Sequence, residues 1–87
     1  MMESTNRPVL SKLFRLQWEP AQDAYVLLYP EGMVKLSQSA SEILKRCDGN
    51  STTEAIILDL EKVFSFADLR DEVCLFLNEA YTRGWLV

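Results

Sequence analysis

Histidine is absent from this sequence of 87 residues. With it goes the side chain that most often works as a general base near neutral pH. Cysteine is scarce: Cys47 and Cys74 are the only two, and they stand far apart. Two distant thiols and no imidazole leave no zinc site of ordinary ligand spacing, so no metal or cofactor is expected. The three glycines form no phosphate-cradling loop, and there is no G-x-S-x-G elbow. Carboxylates do occur in pairs, as Asp71-Glu72 and Asp59/Glu61. At those spacings on a helix they face different directions, which suits solvated faces and not an acid/base dyad. Cys74 lacks a basic partner in sequence that could take its proton, so a packed small thiol is the better reading than a nucleophile.

Two further absences concern partners. No apolar run is long enough to cross a membrane, and residues 1–8 carry no apolar core of a signal peptide. A cytoplasmic protein with reduced thiols is expected. Nine Lys and Arg oppose 13 Asp and Glu, a net charge of −4. Nucleic-acid binding needs a concentrated basic face, and none is visible.

What is present is one globular domain with 48% hydrophobic residues. Residues 1–12 are polar and aperiodic and read as a flexible arm; residues 13–87 form the domain. Leu13 to Trp18 alternates, with Phe14, Leu16 and Trp18 on one side, as a half-buried strand does. Pro20 to Asp23 is a turn. Strands over about 24–29 and 33–36 follow. Between them, Tyr29 to Gly32 places Pro and Gly as a type I turn prefers, which predicts a three-residue hairpin with a bulge at Gly32. The second strand is apolar on both faces: Tyr25, Leu27 and Tyr29 on one, Val26 and Leu28 on the other. Val26 and Leu28 are expected to meet the helices.

At Ser37 the period changes from 2 to 3.6. Ser39 to Glu42 reads as a capping box, with Ser37 as the other candidate cap. Ala40, Ile43, Leu44 and Cys47 make one stripe, and Gly49 the left-handed stop. Ser51 to Glu54 is a second capping box. Ile56, Ile57, Leu60, Val63 and Phe64 form the inward face of the second helix. Residues 65–67 link onward. Asp68 is the expected N-cap of the third helix, whose core stripe is Leu69, Val73, Phe76, Leu77 and Ala80. Gly84 ends it, and the apolar tail Trp85-Leu86-Val87 is expected to dock on the body. The fold class is α+β: a three-stranded antiparallel β-meander followed by a three-helix cluster, winged-helix-like.

Two features suggest binding. The third strand lies at the edge of a meander, and Lys35 is its one charge. Either another part of the chain covers that edge or an extended peptide adds to it. On the third helix Arg70, Cys74, Leu77 and Tyr81 fall on one stripe, either a groove wall or a wide core face with one snorkelling arginine. A DNA-binding winged helix is the alternative. Asp68, Asp71 and Glu72 would then meet phosphates, which disfavours it.

The residues from Leu13 to Val87 resemble the PqqD family. The likeness rests on FRLQWE at 14–19, VLLYPEGMV at 26–34, Leu36, Ser39-Ala40, Ile43-Leu44, Cys47-Asp48-Gly49 and RGWL at 83–86. Ser37 stands where the family often has Asn; both cap helices well. The resemblance implies a noncatalytic chaperone of pyrroloquinoline quinone (PQQ) biosynthesis. Such a protein binds the precursor peptide PqqA and presents it to PqqE, a radical S-adenosylmethionine enzyme that holds the iron-sulfur cluster itself. It further implies a peptide lying as an added strand between Met33, Val34, Lys35 and Leu36 on one side and Arg70, Val73, Cys74 and Leu77 on the other. A monomer or a weak homodimer paired through an edge fits such a chain.

Overall fold

Alternating and doubly apolar segments pair as their period requires. A computed structural model of the chain describes residues 7–65 and 68–87. Strands β1 (Arg15–Glu19), β2 (Ala24–Tyr29) and β3 (Gly32–Lys35) form one antiparallel sheet in the order β1-β2-β3. Helices α1 (Gln38–Lys45), α2 (Thr53–Phe64) and α3 (Arg70–Thr82) follow.

The register sets the two faces of the sheet. Leu16, Leu27 and Val34 stand opposite one another across the three strands. Leu27 is wholly buried in the core, with Leu16 and Val34 packed against it. The face expected to meet the helices is therefore the other one: Leu27, with Tyr25 beside it, packs inward. Val26 and Leu28 share the outer face with Gln17, Lys35, Arg15 and Met33. Val26 is buried there too, flanked by the stems of Gln17 and Lys35.

The hairpin also differs from its expected form. Tyr29 pairs directly with Gly32, so the loop is the two residues Pro30-Glu31. Gly32 has no positive φ, and no bulge forms.

Helix ends show why neighbouring cap formers compete. The Ser37 Oγ, not that of Ser39, accepts from the Ala40 N–H at 3.1 Å. Leu36 is still bonded to β2, so the chain turns from strand into helix at the next residue. Glu42 closes no capping box; it bonds Lys45 and Arg46. Likewise Thr52, not Ser51, caps α2 by accepting from Ala55 at 3.1 Å. The N-cap of α3 is Leu69, not Asp68, and it makes no side-chain cap bond of its own. Its Leu69 N–H donates to Glu61 Oε2 of α2 at 2.9 Å. At its far end Gly84 takes φ +79. Trp85 and Gly84 donate back to Ala80 and Tyr81, the hydrogen-bond pair of a Schellman motif. Gly49 also has positive φ, but α1 is already capped at Arg46. Gly49 instead donates to Pro8 at 3.0 Å.

That bond belongs to a larger correction. From residue 7 onward the expected arm is part of the body. Pro8 is fully buried. Val9 bridges Asp48 and Leu10 bridges Leu86. Ser11 donates to Trp85, and Val87 to Val9. These bonds also dock the C-terminal tail, with Leu86 buried. Residues 1–6 of the expected arm, and Phe66 and Ala67 of the expected link, lie outside the described residues.

The core joins β2 to all three helices through Leu27, Ile43, Leu44, Ile56, Ile57, Leu60, Val73 and Leu77. Val63 and Phe64 do not belong to it; both are exposed.

Candidate functional site

Strand β3 has one paired side and one open side. The Leu36 N–H donates to the Tyr25 carbonyl at 3.0 Å. In an antiparallel ladder, bonded and non-bonded positions alternate. Val34, two residues away and opposite Leu27, therefore also turns its backbone groups toward β2. The N–H and C=O of Met33 and Lys35 point out of the sheet. No described strand pairs with that edge. The side chains alternate likewise. Met33 and Lys35 are exposed on the outer face. Val34 is half-buried and Leu36 buried against the core.

Just beyond the end of β3, where the chain enters α1, a groove of about 400 Å³ opens between the three helices. Its volume falls in the range typical of ligand sites. The floor is Ile43, Leu60 and Val73; the walls are Phe64, Leu69 and Phe76. Ser37 and Ser39 rim it on the α1 side, Asp68 and Glu72 on the α3 side. No cation is among its lining residues.

The structure brings the expected site residues together only in part. Met33, Val34, Lys35 and Leu36 are the edge and its root. Val73 lies in the groove. Arg70, Cys74 and Leu77 do not line it. The Arg70 guanidinium bonds both carboxylate oxygens of Glu54, at 2.5 and 2.7 Å, and that bond raises its pKa. Cys74 is half-buried beside the core, and Leu77 is fully buried within it. The wall of α3 that faces the groove is Leu69, Glu72, Val73 and Phe76, at i, i+3, i+4 and i+7. That spacing is visible in the sequence, where its apolar members read as core.

A second cavity, of about 350 Å³, lies between the β1–β2 end of the sheet and α1. It is lined by Trp18, Tyr25, Gln38, Glu42 and Lys45 among others. The Lys45 ammonium sits 4.4 Å from the Tyr25 ring centre, and Trp18 meets Tyr25 edge-on at 5.2 Å. The Glu42 carboxylate, bonded to Lys45, raises the ammonium's pKa.

Among the described residues, neither cavity has a thiol in its lining. The Cys47 thiol is buried and donates to the Ile43 carbonyl at 3.3 Å. Burial, then the nearby Asp48, pushes its pKa up to about 12, so it stays protonated and inert. Among the described residues no group of acidic or thiol side chains is placed to hold a metal ion. No helix among them is long and apolar enough to cross a membrane.

Known proteins are similar to this chain in sequence and in fold. The family described as coenzyme PQQ synthesis protein D (PqqD) matches residues 24–86. A protein of Stutzerimonas stutzeri named PqqA binding protein is 42% identical over 86 residues, covering 98% of this chain and 94% of that protein. One of the same name from Azotobacter vinelandii is 48% identical over 80 residues, covering 91% and 87%. Among solved structures, the PqqD portion of Methylobacterium extorquens PqqCD is similar in fold, with a TM-score of 0.82. It is 24% identical and covers 100% of this chain and 95% of that one. Its solution NMR structure represents a functional, stand-alone recognition element for ribosomally synthesized, post-translationally modified peptides.

Proposed function

The chain belongs to the PqqD family, and from that premise we propose that it binds the precursor peptide PqqA and hands it to the radical S-adenosylmethionine enzyme PqqE. It does so as an adaptor, in the cytoplasm, as a monomer or weak homodimer, without performing chemistry itself. The observation that carries this reading is the open edge of β3 beside an apolar groove. An extended peptide would take up the outward N–H and C=O of Met33 and Lys35 as a fourth strand. Such bonds give affinity and register with little demand on sequence. Val34 and Leu36 hold the strand in place from the core side. Past the strand's end, side chains of the peptide would enter the groove against Leu69, Val73 and Phe76. Arg70, Cys74 and Leu77, implied by the family resemblance, have other partners and play no part in this account.

Ordering a flexible peptide costs part of the gross interaction energy, about 2–5 kcal/mol or more. A binder of moderate affinity that can release its cargo follows from that cost. Calorimetric titration of the folded protein with PqqA, alone and then with PqqE present, tests the proposal. One-to-one binding that persists in a ternary complex is expected. No heat and no complex would overturn it.

A further inference from the structure

The groove has a charge as well as a shape. Its interior is apolar, while Asp68 and Glu72 stand at its mouth. Asp71 lies beside them in the first turn of α3. Two positive features of α3 itself could cancel these carboxylates, and neither does. Arg70 is already held by Glu54. The N-terminus of α3 contributes only about half an elementary charge, and its first N–H is taken by Glu61. Glu61 thus adds a further carboxylate to the same helix end. Neither Asp68 nor Glu72 forms an ion pair among the described residues. Lys35, the charge on β3, belongs to the outer face of the sheet. The mouth of the groove is therefore negative.

We propose that Glu72 and Asp68 make the groove selective for an apolar side chain that neighbours a lysine or arginine in the bound peptide, and reject one that neighbours an acidic residue. This rests on the peptide-binding reading above. The apolar side chain fills the space between Phe64, Leu69 and Phe76. The adjacent cation stays at the wet rim against the two carboxylates. A carboxylate placed there meets like charge, and repulsion excludes wrong partners more strongly than rim attraction rewards right ones. The neutral backbone bonds of β3 accept any extended segment, so discrimination between peptides falls to this mouth.

The test combines protein variants with a peptide scan. PqqA is titrated against the unaltered protein, Glu72→Gln, Glu72→Lys and Asp68→Lys, each first shown to be folded by circular dichroism and thermal melting. A set of PqqA derivatives then carries Lys or Glu at each position next to an apolar residue. Charge reversal at Glu72 is expected to weaken PqqA binding about tenfold at low salt, and less as salt rises. Glu72→Gln, which keeps the shape, is expected to weaken it by a smaller factor. One Glu-bearing derivative should bind Glu72→Lys better than it binds the unaltered protein. Equal affinity of all folded variants for PqqA, with no exchange of preference in the scan, would overturn the selectivity and leave peptide binding standing. Failure of the unaltered protein to bind PqqA at all would remove both.

Discussion

The Leu36 N–H meets the Tyr25 carbonyl at 3.0 Å, and that bond decides which backbone groups of β3 face the open edge. Val34 shares the inward parity of Leu36; Met33 and Lys35 have the outward one. Alternation of side chains could not reveal this, because it says which face a residue occupies and not which way its N–H points.

Proline substitution separates the two parities. Lys35→Pro removes a donor at an open edge, where proline is tolerated. It should leave the melting temperature nearly unchanged and cost about 1 kcal/mol of PqqA binding. Val34→Pro removes a donor from the ladder and should lower the melting temperature. Paired melts and titrations check both; a Lys35→Pro protein that folds and binds unchanged would remove the added-strand geometry.

Stability should fall in acid partly through Glu42. Its bonds to Arg46 and then Lys45 hold its pKa below the ordinary 4.5. A depressed folded pKa means the stabilisation is fully present above that ordinary value and disappears as pH drops through the folded value. Glu42→Gln should therefore cost about 1 kcal/mol at pH 7, and the gap between variant and parent should close in acid below the folded pKa. Denaturant titrations at the two pH values measure it.

Glu61 caps a helix it does not belong to. Glu61→Ala should destabilise the protein by about 1 kcal/mol, as loss of an N-cap does. The effect should be local: amide hydrogen exchange at Leu69 and the first turn of α3 should accelerate, while the sheet is unaffected.

The two thiols should differ. With its pKa near 12 and its sulfur buried, Cys47 should resist alkylation at pH 8, leaving at most the half-buried Cys74 to react. Unfolding in urea should expose both. Mass spectrometry after brief iodoacetamide treatment counts the labels.

Much of this architecture was legible because period 2 gives way to period 3.6 at Ser37, and because Gly84 marks a helix end that only a left-handed residue completes easily. Caps shifted by one or two residues where two hydroxyl side chains compete, as at Ser37/Ser39 and Ser51/Thr52. Long-range contacts left no local mark. The Glu61–Leu69 cap and the pairing of Val9 and Leu10 with Asp48 and Leu86 join segments whose spacing in sequence carries no signal. The groove illustrates the same limit. Leu69, Val73 and Phe76 form a stripe in any reading, but whether a stripe meets core or open space depends on where Ile43, Leu60 and Phe64 stop. The Arg70–Glu54 pair spans 16 residues, so the stripe that carries Arg70 does not reveal it.

The central claim is that a peptide adds to β3 and reaches into the groove beneath α3. Titration of the isotope-labelled protein with PqqA, followed by backbone amide NMR, tests it most directly. The account predicts shifts concentrated at Met33 and Lys35 and at Leu69, Glu72, Val73 and Phe76, with little change at Arg15 to Glu19. Saturable binding with those six amides unmoved would contradict it.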